Sequence, residues 1–135
     1  MTDCVFCKIV SGQIPSHRVH EDDLTLAFMD IGQVNPGHVV VAIKPHLEIV
    51  TDLSPEQAGA VFRAAHHVAR AVTAAVTPEG LTILQANGKA GWQTVPHFHL
   101  HVLPRHLNDG VTLTWPTKNP PAQELAAMAG RIRGV

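Results

Sequence analysis

A chain of 135 residues, 45% hydrophobic and 16% charged, is long enough to bury a core and has the composition of a globular protein rather than a disordered one. The formal net charge is −1 and Lys and Arg form no run, which argues against a nucleic-acid duplex or an anionic membrane surface as the partner. No apolar stretch approaches the roughly 18 residues of a membrane span and the N-terminus lacks a signal-peptide pattern, so we expect a cytoplasmic protein.

The beginning of the chain contains both of its cysteines, Cys4 and Cys7, and the Ser, Gly and Pro residues that follow predict a knuckle and a turn over 1–16. Three strands are then expected over 17–20, 24–29 and 38–43. The last two are separated by a turn signal, since Pro36 fixes φ and Gly37 accepts positive φ. We therefore expect these two strands to pair as an antiparallel hairpin.

A long helix is predicted to begin after Ser54, which can cap it, with Pro55 at the first helical position and Gln57 completing a capping box. Its apolar residues recur every three or four positions and define the face expected to be buried. These residues are Ala58, Val61, Phe62, Ala65, Val68, Ala69, Val72 and Val76. Two further strands over 81–85 and 97–103 and a short helix over 122–132 follow. With no internal repeat and no linker, we predict a single α+β domain over 1–135.

Histidine recurs at every second position of the last predicted strand, as His97, His99 and His101, with apolar residues between. Because a strand has a period of two, the three imidazoles lie on one face about 6.6 Å apart, and the apolar residues enter the core on the other. One small ligand can therefore touch two of the rings. An imidazole can be a metal ligand, a base, a nucleophile or a proton donor near neutral pH, so the pattern predicts a functional site.

Two other patterns point to bound ions. The spacing of Cys4 and Cys7 is that of a zinc knuckle, which supplies two thiolates and needs two more ligands. A redox pair is disfavoured because the motif does not follow a strand and open a helix, and two buried thiols are the remaining alternative. The loop 88–94, just before the histidine strand, is expected to bind phosphate through its backbone N–H groups, with Gln93 and Thr94 as side-chain partners.

The histidine strand resembles the His-x-His-x-His-x-x signature of the histidine triad (HIT) family. The similarity extends through Ala27-Phe-Met-Asp-Ile31, Asn35-Pro-Gly-His38 and Gln93-Thr-Val95. It implies a HIT-like α+β fold with a mainly antiparallel five-stranded sheet, one long helix and a short C-terminal helix, dimerising into a ten-stranded sheet. Members of the family are nucleotidyl hydrolases and transferases that act on the α-phosphorus of a nucleotide. The expected partners are thus a small-molecule adenine or other purine nucleotide and a second copy of the chain, with no nucleic acid and no membrane.

By this resemblance, His99 is the nucleophile that forms a nucleotidyl-histidine intermediate. His101 is expected to bond the phosphate or the bridging oxygen, and His38 to complete the site by hydrogen bonding within the histidine cluster. A ring attacks phosphorus only if it presents a lone pair, so its other nitrogen needs a partner that fixes the tautomer.

The same resemblance assigns the binding residues. Asp30 is expected at the ribose hydroxyls, with Phe28 and Ile31 near the base and Asn87 in the same site. Zinc-containing relatives, and the similar galactose-1-phosphate uridylyltransferases, imply that His46 and His97 complete the site begun by Cys4 and Cys7. A structural zinc is the one cofactor expected, and no organic cofactor is implied.

Other functions stay open on the sequence alone. One is a zinc enzyme that uses the three triad histidines as ligands, although the triad segment offers no Glu or Asp as a general base. Another is a non-catalytic nucleotide-binding module. For a hydrolase, nucleoside phosphoramidates compete with dinucleoside polyphosphates as substrates. Trp92 stands where the family usually has Gly, and either narrows the leaving-group side of the site or points towards a second subunit.

Overall fold

The computed structural model describes residues 3–135. Its three helices are α1 (Val5–Ser11), α2 (Pro55–Val76) and α3 (Ala122–Arg133). Its five strands are β1 (Arg18–Glu21), β2 (Thr25–Met29), β3 (Val39–Ile43), β4 (Gly80–Gln85) and β5 (His99–Arg105). Single turns of 3₁₀ helix occupy Val50–Asp52 and Lys89–Gly91. The predicted α+β class, with a long helix and a short C-terminal helix, is confirmed.

The strands form one antiparallel sheet in the order β1-β2-β3-β5-β4. The predicted hairpin of β2 and β3 is present, with Phe28 opposite Val40. The histidine strand β5 then inserts beside β3, where Val40 faces His101 and Ala42 faces His99. This crossover through α2 places the histidines at the centre of the sheet rather than at an edge.

Alternation along the strands divides the core into two layers. One face of the sheet packs on α2 through residues such as Val41, Leu100 and Val102, all of them buried. The opposite face carries Leu26, Phe28, Val40 and Ala42, and α1 covers it with Phe6 and Ile9. His97 and His99 lie on this second face, since they alternate with the residues that face α2. The prediction that the imidazoles and the apolar side chains of β5 lie on opposite faces of the sheet is therefore correct. The face that carries the histidines is, however, covered by the helix α1.

The helix α1 is the main departure from the sequence prediction, which expected only a knuckle and a turn there. Cys4 caps this helix, because its Sγ accepts a hydrogen bond from the backbone N–H of Cys7 at 3.3 Å. Gly12 ends it in the left-handed conformation at φ +84°. A helix of 7 residues presents fewer than two full turns of apolar pattern, which is too little for periodicity to reveal.

The start of α2 agrees with the prediction, since Ser54 and Gln57 form the expected capping box. Its buried face differs from the prediction: Ala60 and Ala64 are buried although they were not predicted to be, and Phe62 is 59% exposed, whereas the neighbouring Val61 is buried. Consecutive helical residues diverge by about 100°, so Phe62 falls outside the stripe that faces the sheet. The helix α3 buries none of its residues, and Leu125 and Ile132 are exposed along it. Among the described residues, no helix has the length and apolar character needed to cross a membrane.

Candidate functional site

The site lies where three neighbouring strands bring polar side chains to the face beneath α1. His99 and His101 come from β5, His38 immediately precedes β3, and Asp30 immediately follows β2. The turn before β3 is tight: a Cβ on Gly37, at φ +103°, would come within 2.9 Å of Val76. Only glycine suits that position, and it brings His38 up against β5.

The tautomer of His99 follows from its backbone partner. Its Nδ1 lies 2.7 Å from the carbonyl oxygen of His97, which can only accept, so Nδ1 carries the proton and Nε2 keeps the lone pair. The ring is 5% exposed and meets the edge of Phe6 with centroids 4.8 Å apart. Burial lowers the pKa of His99 below its usual value. The side chain is thus a neutral imidazole with one unprotonated nitrogen, which is the form that acts as a nucleophile.

A second chain of hydrogen bonds orients His101. The backbone N–H of Val34 donates to Nδ1 of His38 at 3.2 Å, which leaves the proton of His38 on Nε2. That Nε2–H lies 2.8 Å from Nδ1 of His101 and donates to it. The proton of a neutral His101 therefore sits on its Nε2, and the ring presents an N–H donor to a ligand.

Both members of this pair are held uncharged. Burial, followed by the neighbouring His99 and His38, lowers the pKa of His101 to about 4. Burial also lowers the pKa of His38, against the opposing effect of the Asp30 carboxylate, whose Oδ2 lies 3.3 Å from the Nε2 of His38. The cluster consequently offers hydrogen-bond donors and a lone pair near neutral pH, without a cationic ring.

Asp30, His38 and His101 also bring three potential metal-ligand atoms within 4.8 Å of one another. The tautomers disfavour a metal there, because His38 already accepts from Val34 at Nδ1 and would have to surrender its Nε2 proton to bind an ion. The triad itself is not one ligand set either, since His97 belongs to a different cluster from His101. This geometry argues against the zinc enzyme considered from the sequence.

A cavity of about 400 Å³ opens in front of His99 and His101, which is the size of a small-ligand pocket. Of the residues predicted to bind a nucleotide, Phe28, Asp30, Ile31 and Thr94 line it. The wall formed by α1 and the turn after it was not predicted from the sequence. This wall includes Val5, Phe6, Ile9, Ile14 and Ser16. The spacing of Phe6 and Ile9, three positions apart beside the cysteines, is typical of a helix, but it is too short to predict one by itself.

Asn87 and Gln93, by contrast, do not line this cavity. The Gln93 side chain accepts from the N–H of Gly88 at 2.8 Å and donates to the carbonyl of Glu48 at 2.7 Å. Asn87 accepts from the N–H of Val50 at 2.7 Å. Gln93 ties the loop 88–94 to the segment after β3, and Asn87 does the same for the residue just before the loop. Trp92 in this loop is 65% exposed, lies at φ +73° and packs against Trp115 with ring centroids 6.3 Å apart.

The four predicted metal ligands Cys4, Cys7, His46 and His97 do come together, with their ligand atoms all within 4.8 Å of one another. Nδ1 of His97 is 3.3 Å from the Sγ of Cys4 and 3.5 Å from that of Cys7, and Nδ1 of His46 is 3.3 Å from the Sγ of Cys7. Tetrahedral zinc with ordinary Zn–S and Zn–N lengths separates S and N by about 3.6 Å, so the spacing fits.

The surroundings of the cluster fit a metal as well. His97 is fully buried and directs its Nε2–H to the carbonyl of Ile43 at 2.6 Å, so its Nδ1 lone pair faces the thiols. Burial and the adjacent Cys4 raise the pKa of Cys7 to about 11, and a bound cation would reverse that preference for the thiol. The cluster thus joins α1 to the end of β3 and to the start of β5.

Comparison with known proteins agrees with this arrangement. The family model for the HIT domain matches residues 11–108. An adenosine 5'-monophosphoramidase of Schizosaccharomyces pombe is 35% identical over 130 residues, covering 96% of this chain and 95% of its own length. A crystal structure of a HIT family member from Bacillus subtilis is 38% identical and covers 98% of this chain and 96% of its own, with a TM-score of 0.92.

A Zn-bound histidine triad family protein from Mycobacterium smegmatis is also similar. It is 34% identical with a TM-score of 0.78, and the match covers 99% of both chains. The extent of the family-model match and the identity of these relatives place the chain in one class without ambiguity. The chain belongs to the HIT family.

Proposed function

We propose that this HIT protein is a hydrolase or nucleotidyl transferase that acts at the α-phosphate of a purine nucleotide, with His99 as the nucleophile. The observation that carries the proposal is the tautomer of His99, whose Nδ1–H is held by the backbone while its ring lines the cavity. A neutral nitrogen with a free lone pair attacks phosphorus, and the resulting P–N bond is labile to water.

Hydrolysis of a nucleoside phosphoramidate would take two steps. The Nε2 of His99 forms a bond to phosphorus while the bond to the amine breaks, and the amine takes a proton from solvent. The Nε2–H of His101 donates a hydrogen bond to the phosphate oxygens or the bridging atom as charge develops there. Water then attacks phosphorus, loses a proton to solvent, and releases the nucleotide and neutral His99. His38 acts through His101 by fixing its tautomer.

The remainder of the nucleotide is proposed to extend from His99 across the sheet. Asp30 would accept hydrogen bonds from the ribose hydroxyls, and Phe28 with Ile31 would contact the base. Thr94 would lie near the phosphate. The similarity to a protein named adenosine 5'-monophosphoramidase supports the cleavage of P–N bonds, with dinucleoside polyphosphates as the second substrate class.

Steady-state turnover of adenosine phosphoramidate and of diadenosine polyphosphates tests this proposal. His99→Ala should lower turnover by about 10³-fold or more and leave the Kd for AMP within tenfold, because the ring makes bonds mainly in the reaction. His106→Ala, which removes a histidine outside the cavity, is the matched control and should keep wild-type rates. Unchanged turnover in His99→Ala refutes the nucleophile, and failure of the wild type on both substrates refutes the hydrolase.

We also propose that Cys4, Cys7, His46 and His97 hold a structural zinc ion, on the strength of their spacing and the orientation of His97. In this position the metal would tie α1, which roofs the cavity, to the strands that carry the histidines. No step of the reaction passes through it. The Zn-bound relative from Mycobacterium smegmatis supports the assignment.

A homodimer is proposed that forms through the edge strand β4 and the exposed side of α2. The strand β4 pairs only with β5 among the described residues, so its outer edge is open, and Leu81 and Ile83 on it are about 40% exposed. Phe62 on α2 is exposed as well. Sedimentation should give twice the monomer mass, and Phe62→Glu should shift the protein towards monomer. A monomeric wild type at micromolar concentration refutes the proposal.

A further inference from the structure

The side chain of Gln33, in the loop between β2 and β3, uses every hydrogen-bonding position of its amide. Its nitrogen donates to the carbonyl oxygen of Asp30 and, at 2.8 Å, to that of His38. Its oxygen accepts from the backbone N–H of Gly37 at 2.8 Å and from that of His38 at 3.1 Å. Because the nitrogen meets two acceptors and the oxygen meets two donors, only one orientation of the amide satisfies all four bonds.

This arrangement needs a physical reason, because Gln33 is exposed. Water would satisfy an exposed amide, and holding a long side chain in one rotamer costs conformational entropy. The bonds enclose the backbone of His38, since they reach both its N–H and its carbonyl oxygen. What the amide fixes is therefore the position of His38 at the start of β3.

The same loop also fixes the ring of His38. The backbone N–H of Val34, the residue after Gln33, donates to Nδ1 of His38 at 3.2 Å. This N–H reaches the ring only while the loop folds back over it, and the bonds from Gln33 hold the loop in that form. If Val34 moves away, Nδ1 of His38 is free to carry the proton, and Nε2 becomes an acceptor.

That change would reverse the order of protons in the histidine pair. Nε2 of His38 lies 2.8 Å from Nδ1 of His101, and one of these two nitrogens must donate to the other. If Nε2 of His38 accepts, the proton of His101 lies on its Nδ1, and its Nε2 turns a lone pair towards the cavity. A phosphate oxygen in the cavity would then meet no hydrogen-bond donor on His101.

We propose that Gln33 is a positioning residue that fixes the proton positions of His38 and His101 by holding the loop 30–38 around His38. Gln33 does not line the cavity, so it acts through Val34 and His38 rather than on the substrate. The proposal rests on the proposed function for its effect on turnover, whereas the proton positions can be observed without a substrate.

Nuclear magnetic resonance of ¹⁵N-labelled Gln33→Met tests this proposal, because methionine keeps the length of the side chain and lacks the amide. At pH 7 a proton should appear on Nδ1 of His101 in part of the molecules. His99 should keep its Nδ1 proton, because the carbonyl oxygen of His97 holds it independently of the loop. The kcat for adenosine phosphoramidate should fall by about tenfold or more, since a donor to developing charge is lost.

Gln57→Met is the matched control. The Gln57 amide also bonds a backbone group, the N–H of Ser54, but it does so at the start of α2 and outside the cavity. This variant should keep the wild-type proton positions and kcat, whatever happens to its Tm.

The two readouts separate a positioning role from a purely structural one. Wild-type proton positions in Gln33→Met overturn the proposal even if the Tm falls, and so do altered positions combined with a wild-type kcat. A wild type that is inactive on both substrate classes overturns the proposed function. The proton positions then still decide whether Gln33 fixes the histidine pair.

Discussion

Acidification is the perturbation that most directly tests the geometry of the histidine cluster. His101 should stay neutral well below the usual imidazole range, since burial and the adjacent His99 and His38 lower its pKa from 6.5 to about 4. Nuclear magnetic resonance of ¹⁵N-labelled protein should show protons on Nδ1 of His99 and on Nε2 of His38 and His101 at pH 7. Titration of His101 near 6.5, or a proton on Nε2 of His99, would contradict the tautomers that the hydrogen bonds require.

The same pKa has a consequence for stability. Because the pKa of this histidine is lower in the folded state, the unfolded chain binds a proton there at a higher pH than the folded chain does. The folded state is therefore progressively destabilised as the pH falls from 6.5 towards 4. The difference between 6.5 and about 4 corresponds to at most about 3 kcal/mol, because the His101 side chain is 24% exposed and partly screened. Above pH 6.5 the ring is neutral in the folded and the unfolded chain alike, so none of this stability is lost.

Urea unfolding at pH 7 and pH 4.5 measures that contribution. The free energy of unfolding of the wild type should fall by about 2 kcal/mol more than that of His101→Gln, which lacks the titrating ring. His66→Gln, at an exposed position of α2, is the matched control and should lose as much as the wild type. Equal losses in His101→Gln and the wild type would refute the account of a buried neutral imidazole.

Two other features of the chain lead to measurable outcomes. Cys7→Ser leaves only three of the four proposed ligands, so it should abolish stoichiometric zinc by atomic absorption and have a lower Tm than the zinc-loaded wild type. Unchanged zinc content would disprove that ligand set. Trp92→Ala should be about 1 kcal/mol less stable to urea than Trp92→Gly, because φ +73° strains any residue with a Cβ while both variants lose the contact with Trp115. Equal stabilities would show that the loop relaxes when the indole is removed.

Local patterns predicted much of the fold because they depend on neighbours in sequence. The capping residues Ser54 and Gln57 predicted the start of α2, and the turn at Pro36 and Gly37 predicted the pairing of β2 with β3. The alternation from His97 to His101 correctly predicted that three imidazoles share a face. Phe62 shows the limit of such patterns, since an apolar residue on a helix is assigned to the core unless the position of the sheet is known.

The histidines of the candidate site could be listed from the sequence and its resemblance to the family, but their chemical states could not. Which nitrogen of His99 or His101 carries a proton depends on the carbonyl of His97 and on His38, and the contact between His38 and His101 joins residues 63 positions apart. The cover that α1 forms over the histidines likewise exists only where the start of the chain meets the centre of the sheet.

By itself, the sequence determined the period of the histidines, the α+β class and the two-thiolate knuckle, because these follow from spacing along the chain, whereas His46 and His97 were assigned to the metal by resemblance to the family. Tertiary structure alone decided which histidine keeps a lone pair, which amides of the loop 88–94 are already occupied, and how deeply the cluster is buried. Protonation and hydrogen-bond pairing depend on partners distant in sequence, so no local pattern can specify them.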